Sequence, residues 1–310
     1  MNRREFLAVG AGATVATDAS LLLRSTSAPN SRPNDWRAYF PRLSLERYIN
    51  AAGGTPLGTF AQAGLQRYME FQRIGPGGGR EDYVTEMRTN IRGLFGQFIS
   101  ANASEIALVH STKAGEQIVI DGLDPKGNGR NIVTNDMHFS GSLHNLIGLR
   151  RSGADVRIVT ARNWDVSLDE MADAIDSRTA LVAVTLISNI NGRVEPLREL
   201  AEIAHSHGAL VYADIIQAAG VVPINVRELG IDFAACNGYK WLCGVHGAGF
   251  LFVREELQGS ALPDRLFPGH VRYNYSPWIR EADPREEALI YTARTDASRY
   301  EPGHVSYLGY

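Results

Sequence analysis

The 310-residue chain is poor in cysteine, in long apolar runs and in excess charge of either sign. Its two cysteines, Cys236 and Cys243, are too few for the disulfide framework of a small secreted domain. The formal net charge is −3 and acids and bases are mixed along the chain, so no basic stripe is present to bind nucleic acid. After residue 30 no apolar run approaches membrane-spanning length. The sequence therefore predicts a globular protein that binds no nucleic acid and, beyond its first residues, no membrane.

The first thirty residues resemble a targeting segment. Arg3 and Arg4 form an arginine pair, and residues 8–16 are a weakly apolar run of small side chains. This pattern is typical of twin-arginine export signals, and the run is too short to cross a bilayer. The alternative is an unstructured N-terminus with a chance arginine pair. We expect residues 1–30 to be an export signal that sends the folded protein to the periplasm, and residues 31–310 to form the large domain.

Alternating apolar and helical segments predict an α/β fold. Short apolar runs are separated by stretches with helical periodicity. Continuous apolar strands separated by helices imply a mostly parallel sheet with helices on both faces. The predicted strands are Ile106–Val109, Asn131–Thr134, Val156–Thr160, Ala180–Leu186, Ala209–Ala213, Phe233–Ala235 and Phe250–Val253.

Two charged residues stand at unusual places relative to these strands. Lys240 lies between two apolar runs, just before a glycine-rich turn, and Asp214 ends another apolar run. A strand-end aspartate followed by a lysine on a later turn is the pair that pyridoxal 5'-phosphate (PLP) chemistry requires. The lysine forms a Schiff base with the cofactor, and the carboxylate keeps the pyridine nitrogen protonated. The pair predicts PLP as the cofactor.

Other polar residues follow the carboxyl ends of the predicted strands, where ligands collect in such sheets. The segment 111–113, Ser-Thr-Lys, opens a helix and offers N–H groups, hydroxyls and a cation to a phosphate. His138 could stack on an aromatic ring, Asn189 follows the run Ala180–Leu186, and Gln217 follows the strand that Asp214 ends. Taken singly, these residues also fit a helix cap, a loop contact or an Asn-Gly turn. Their convergence on one lysine favours a cofactor site.

The ordered set of motifs resembles the class V aminotransferase family of fold-type I PLP enzymes. That family includes cysteine desulfurases, selenocysteine lyases, kynureninases and isopenicillin N epimerase-like proteins. The matching segments are Arg47–Gly53, Val109–Gln117, Asp136–His138, Ile187–Gly192, Tyr212–Gln217, Asn237–Leu242, Gly247–Phe250 and Arg299–Gly303.

The resemblance implies a role for each matching position. Lys240 forms the aldimine and moves the proton at the substrate Cα, Asp214 pairs with the pyridinium nitrogen, and His138 stacks on the ring. Asn189 and Gln217 meet the phenolic oxygen. The residues implied at the phosphate are Ser111, Thr112, Lys113, Asn237 and Tyr239. The resemblance further implies a homodimer that acts on a small amino acid, and no metal site is predicted.

Several positions depart from the family pattern. Asn237 and Tyr239 stand where desulfurases usually have serine and histidine, and Lys113 stands where a second threonine is common. His304 replaces a threonine that reaches a partner subunit's phosphate. The Tyr239–Leu242 segment is more similar to the kynureninase and epimerase-like branches. The chain stops roughly where the family's small C-terminal domain begins, so we expect that domain, with its substrate-binding arginine, to be largely missing.

These features favour a PLP enzyme that deprotonates a small amino acid at Cα, followed by epimerisation, elimination or C–S cleavage. Two alternatives remain open: a PLP-binding remnant without a substrate clamp, and a cysteine desulfurase. A nicotinamide dehydrogenase is disfavoured, because no predicted strand is followed by Gly-x-Gly-x-x-Gly opening a helix. The glycine-rich run 75–79 follows a predicted helix instead.

The export signal can be tested by changing the arginine pair. Arg3→Lys together with Arg4→Lys keeps the charge but removes the pair that defines the signal. We expect the double variant to accumulate in the cytoplasm while the parent reaches the periplasm, as measured by cell fractionation and immunoblotting. A periplasmic double variant would contradict the interpretation.

Overall fold

A computed structural model of the chain describes residues 36–74, 80–263, 270–273, 289–292, 294–303 and 305–310. For residues 80–86, 270–273 and 289–292 only the backbone is described. The predicted export signal, the glycine-rich run 75–79 and His304 lie outside these residues.

Seven of the described strands form one mixed sheet in the order β1-β7-β6-β5-β4-β2-β3. All seven predicted strands are confirmed to within about two residues at each end. Two further strands, β8 and β9, form an antiparallel pair. The strands are β1 (Ile106–Val109), β2 (Asn131–Asn135), β3 (Asp155–Val159), β4 (Thr179–Thr185), β5 (Leu210–Asp214), β6 (Phe233–Asn237), β7 (Gly249–Val253), β8 (His270–Tyr273) and β9 (Leu289–Thr292).

The sheet is mostly parallel, as predicted. β6, β5, β4, β2 and β3 pair in parallel, and β7 runs antiparallel to both of its neighbours, β6 and β1. The carboxyl ends of β1 to β6 therefore lie at one edge of the sheet, together with the first residue of β7. This edge is where ligands bind in open α/β sheets.

Helices cover both faces of the sheet, which confirms the predicted α/β class. Phe95, Met171 and Leu200 bury α2, α5 and α6 against one face, and Val119 and Leu146 bury α3 and α4 against the other. No described helix is long and apolar enough to cross a membrane. The helices are α1 (Thr59–Arg73), α2 (Arg80–Ile99), α3 (Thr112–Leu123), α4 (Ser140–Arg151), α5 (Leu168–Ala174) and α6 (Leu197–Ser206).

Two glycines beside this edge allow close packing, one between α3 and β6 and the other between β7 and β1. A Cβ on Gly115 of α3 would lie 2.8 Å from the Cβ of Ala235 on β6. A Cβ on Gly249, the first residue of β7, would lie 2.9 Å from the Val109 carbonyl oxygen. Both positions therefore require glycine, and the start of α3 is held directly against the end of β6.

Candidate active site

A cavity of about 100 Å³ lies at the carboxyl edge of the sheet. Two larger surface hollows, of about 330 and 370 Å³, lie along helices and contain neither Lys240 nor Asp214. The cavity brings together seven residues of the predicted site, whose roles stay predictions. Its lining residues are Ser111, Thr112, Lys113, Phe139, Ser142, Asp214, Ile216, Asn237, Tyr239 and Lys240.

Lys240 is a buried amine on the turn after β6. The residue is only 7% exposed, and burial lowers the pKa of its amine below the ordinary value. Among the residues that the structure describes, none accepts a hydrogen bond from Nζ. The turn is fixed through its backbone, because the Thr55 hydroxyl donates to the Lys240 carbonyl oxygen. The side chain is thus positioned and left available for reaction.

Asp214 ends β5 as a buried carboxylate. It is 3% exposed, and its Oδ1 accepts a hydrogen bond from the Ile216 amide at 2.9 Å. Burial raises the pKa of this carboxyl to about 6, although His138 and Lys240 pull it in the other direction. Within the described part of the chain Asp214 forms no ion pair. A cationic group bound in the cavity would stabilise its ionised form.

The start of α3 offers an anion site at the same cavity. Ser111 caps the helix, because its Oγ accepts a hydrogen bond from the Ala114 amide at 3.1 Å. The adjacent Thr112 hydroxyl is buried and has no partner among the described residues. The first N–H groups of a helix lack acceptors within the helix, and its dipole favours negative charge there. Thr112 and these N–H groups are therefore suited to a phosphate.

His138 is fully buried and is not among the residues that line the cavity. Its Nε2 lies 2.9 Å from Glu116 Oε1, whereas its Nδ1 has no partner among the described residues. Burial lowers the pKa of this histidine, but the carboxylates of Glu116, Asp214 and Glu195 outweigh burial and raise the pKa above its ordinary value. The imidazole is held rigidly next to Asp214, with one nitrogen still available.

Three residues of the predicted site do not line the cavity: His138, described above, and Asn189 and Gln217. Asn189 is exposed on the turn after β4. Gln217 is buried, but its amide is engaged: Nε2 donates to the Ala52 carbonyl oxygen at 3.1 Å, and Oε1 accepts from Trp241 Nε1 at 2.7 Å. Contact of either residue with a cofactor oxygen stays a prediction.

Four residues at the site were not among the predicted site residues, although Glu116 and Ile216 lie within the matching segments. Phe139, Ser142 and Ile216 line the cavity, and Glu116 contacts His138. One signal for Glu116 was present in the sequence. It follows Thr112 by four residues, so the two side chains share one face of α3. An acid on the apolar, buried face of a helix indicates a buried partner.

Comparison with known proteins identifies the family. The family model for class V aminotransferases matches residues 77–283. A probable cysteine desulfurase of Methanothermobacter thermautotrophicus is 34% identical over 244 residues, which are 77% of this chain and 61% of that protein. The chain thus spans about three fifths of the length of this relative. The chain belongs to the class V aminotransferase family.

Solved structures show the same fold. Apo cysteine desulfurase from Thermococcus onnurineus NA1 matches with a TM-score of 0.71 at 23% identity, covering 91% of this chain and 69% of that one. The cysteine desulfurase CsdA of Escherichia coli matches with a TM-score of 0.73 at 21% identity, covering 90% and 69%.

Membership of this family implies PLP as the cofactor, and the cavity residues fit that group. A buried amine without an acceptor, a buried carboxylate without a cation and a buried hydroxyl without a partner meet at one cavity, within the described part of the chain. They match the aldehyde, the pyridinium nitrogen and the phosphate of PLP in chemical type. The residues at these positions are Lys240, Asp214 and Thr112.

The assignment of Lys240 can be checked by chemical labelling. The chain has only three lysines, and Lys113 and Lys126 are the competitors. We expect borohydride reduction of the PLP-loaded protein, followed by peptide mapping, to place the pyridoxyl group on Lys240, because its amine is buried with a lowered pKa. Lys126→Arg should leave the label unchanged. A label on Lys113 or Lys126 would overturn the assignment.

The buried carboxylate of Asp214 should reduce the stability of the cofactor-free protein. Its pKa rises from 3.8 to about 6, so the folded state binds the proton more tightly than the unfolded state. Stability should therefore fall as pH rises from about 4 to about 6, by up to about 3 kcal/mol. Asp214→Asn removes this cost, so we expect the cofactor-free variant to melt at a higher temperature than the parent at pH 7.5.

At low pH the melting temperature of Asp214→Asn should exceed that of the parent by much less. Near pH 4 the parent carboxyl is largely protonated in the folded state, so the two proteins should melt at similar temperatures by circular dichroism. An equal difference at both pH values would show that the charge of Asp214 is not the cause.

Proposed function

We propose that this member of the class V aminotransferase family is a PLP-dependent enzyme that removes the Cα proton of a small amino acid. The supporting observation is the convergence of Lys240, Asp214 and the start of α3 on one cavity. Each group carries the charge state or hydrogen-bonding capacity that one part of PLP needs. The resemblance to cysteine desulfurases supports an amino acid as the substrate class.

PLP, when bound, supplies the electron sink that stabilises negative charge at the substrate Cα. Lys240 is the group of this chain best suited to move the Cα proton. Burial lowers the pKa of its amine, so more of it is neutral and able to accept a proton near pH 7. Thr55 holds the backbone of the same residue, which limits where the amine can reach.

Asp214 would keep a proton on the ring nitrogen of bound PLP and would not itself transfer a proton to the substrate. Its carboxylate lies at the end of β5, fixed by the Ile216 amide. Facing a pyridinium, an ionised carboxylate raises the pKa of the ring nitrogen and keeps it protonated. The neighbouring charge of His138 favours the ionised form of Asp214. This arrangement favours Cα deprotonation over a purely binding role for the site.

A cysteine desulfurase is the second candidate, supported by the similarity to the probable cysteine desulfurase of Methanothermobacter thermautotrophicus. Such an enzyme needs an accessible thiolate that accepts sulfur. Cys236 and Cys243 are both fully buried, and burial raises the pKa of the Cys236 thiol well above its ordinary value. Neither cysteine is therefore suited to accept sulfur, which favours a reaction at the substrate Cα without sulfur transfer to Cys236 or Cys243.

Export and assembly also belong to the proposal. A twin-arginine signal carries folded proteins, which suits a protein loaded with PLP in the cytoplasm and then sent to the periplasm. Family membership supports a homodimer, which the mass of the PLP-loaded protein by light scattering would test.

Exchange of the substrate Cα proton tests the proposed function. We expect the PLP-loaded protein to exchange the Cα hydrogen of at least one small amino acid for deuterium, detected by mass spectrometry across an amino-acid panel. Asp214→Asn should keep measurable PLP but reduce exchange at least about tenfold, because the ring nitrogen loses its anionic partner.

A matched control distinguishes the loss of the Asp214 charge from the loss of any carboxylate on the protein. Asp169→Asn removes an exposed carboxylate on α5 and should leave exchange unchanged. Bound PLP without exchange of any amino acid would favour the binding-remnant alternative. Exchange at the parent rate in Asp214→Asn would show that the assigned role is wrong.

The cysteines give a test between the two candidates. Because both are buried, we expect no persulfide on either residue after incubation with L-cysteine, as measured by thiol-trapping mass spectrometry. Cys236→Ala with Cys243→Ala should retain the exchange activity of the parent. A persulfide on Cys243, with alanine formation lost when that cysteine is removed, would support the desulfurase instead.

A further inference from the structure

A buried cluster of three polar side chains lies beside the cavity, and one of them, Ser142, also lines it. Glu116 on α3 contacts His138, which follows β2, through one carboxylate oxygen at 2.9 Å. Its second oxygen accepts a hydrogen bond from the Ser142 hydroxyl on α4. Glu116 and Ser142 are each 2% exposed, and His138 is 0% exposed. Burying a carboxylate this deeply costs free energy unless its partners compensate for it.

We propose that Glu116 is a positioning residue for the cofactor, acting through His138. This inference rests on the proposed function, since it concerns the same cavity. Glu116 fixes the plane of the imidazole and the nitrogen that carries its proton, and Ser142 fixes Glu116. His138 then presents a defined face and a defined free nitrogen to the bound group.

The tautomer follows from the chemistry of the pair. An ionised carboxylate only accepts hydrogen bonds, so Nε2 of His138 carries a proton whenever Glu116 is ionised. Nδ1 is then the nitrogen that gains or loses a proton. It has no hydrogen-bond partner among the described residues, although the side chain is fully buried. A buried polar atom without a partner is costly, which indicates that a bound group completes this nitrogen's environment.

Glu116 also sets the charge around the imidazole. Of the carboxylates near His138, it is the one that forms a hydrogen bond to the ring. Glu195 is paired instead with Arg193 Nη1 at 2.6 Å, and Asp214 is engaged by the Ile216 amide. The titratable groups that face His138, Glu116 or Asp214 are Glu116 on α3, Tyr212 and Asp214 on β5, Glu195 after β4, Cys236 on β6, and Tyr239 and Lys240 after β6.

A positioning role differs from a merely structural one in what it predicts. Glu116→Gln keeps the size of the side chain and one oxygen that can accept from Nε2, but removes the charge. A structural role would therefore be largely preserved. A positioning role would change the protonation of His138 and the environment of the bound cofactor. Asp121→Asn is the matched control, since it removes an exposed carboxylate five residues further along the same helix.

The first readout uses the cofactor-free protein. We expect the side-chain nitrogen resonances of His138 in ¹⁵N-histidine-labelled protein to show Nε2 protonated throughout the titration. The midpoint of the Nδ1 titration should lie at lower pH in Glu116→Gln than in the parent, because the anionic partner is lost. Asp121→Asn should titrate like the parent.

The second readout uses the PLP-loaded protein. Glu116→Gln should shift the pH midpoint of the cofactor's visible absorbance, change its induced circular dichroism and weaken PLP binding about tenfold. Ser142→Ala keeps the carboxylate but releases one of its oxygens, so it should keep the Nε2 tautomer and weaken PLP less. If Glu116→Gln does not fold, Ser142→Ala compared with Asp121→Asn decides by the same spectra.

The outcomes separate the two levels of the proposal. A parent protein that binds no PLP would overturn the proposed function itself. A parent that binds PLP, with Glu116→Gln matching Asp121→Asn in the His138 titration and in the cofactor spectra, would overturn the role of Glu116 and leave the proposed function intact. A His138 whose neutral form carries its proton on Nδ1 would also overturn it.

Discussion

The site depends on keeping a buried amine and a buried carboxylate close to each other and unpaired. Lys240 and Asp214 are 7% and 3% exposed, yet they form no salt bridge with each other in the described structure. Asp214 ends β5 level with Ala235 on β6, and Lys240 lies on the turn after β6, so the parallel pairing of these two strands sets the space between them. A direct pair would neutralise both groups and leave neither available to a ligand. Burying an ionisable group without a partner costs free energy, and a ligand that meets both groups would offset that cost.

Backbone segments distant in sequence close this site. Ala52 and Thr55 precede the sheet, yet they contact Gln217 and the Lys240 turn. At the other end of the chain the Tyr310 hydroxyl donates to the Val109 carbonyl oxygen at 2.8 Å, where β1 leads into α3. The reactive turn and the phosphate-type site are therefore held by segments from both ends of the described chain. Such long-range contacts make the geometry of the cavity depend on the completed fold.

Sequence reasoning predicted what is encoded locally. Apolar runs are short-range signals, so all seven strands of the sheet were found, and seven of the predicted site residues line one cavity. The antiparallel direction of β7 was not predicted, because an apolar run such as Phe250–Val253 reads the same in either direction. The link between Glu116 and His138 spans 22 residues and two elements, and no local pattern encodes it. Likewise, the engaged amide of Gln217 follows from a tertiary contact with Trp241.

The unpartnered polar atoms connect stability to cofactor loading. The hydroxyl of Thr112 and Nδ1 of His138 are buried without partners in the described structure, and Asp214 is held ionised against a raised pKa near neutrality. Each costs free energy in the cofactor-free protein; a bound phosphate would offset the cost of Thr112, and a pyridinium the cost of Asp214. A ligand that binds only the folded state adds its binding free energy to folding stability. Loading with PLP would then complete the fold as well as the site, which requires the cofactor to be present where the chain folds. Under the proposed twin-arginine export that place is the cytoplasm, because this route carries proteins that are already folded.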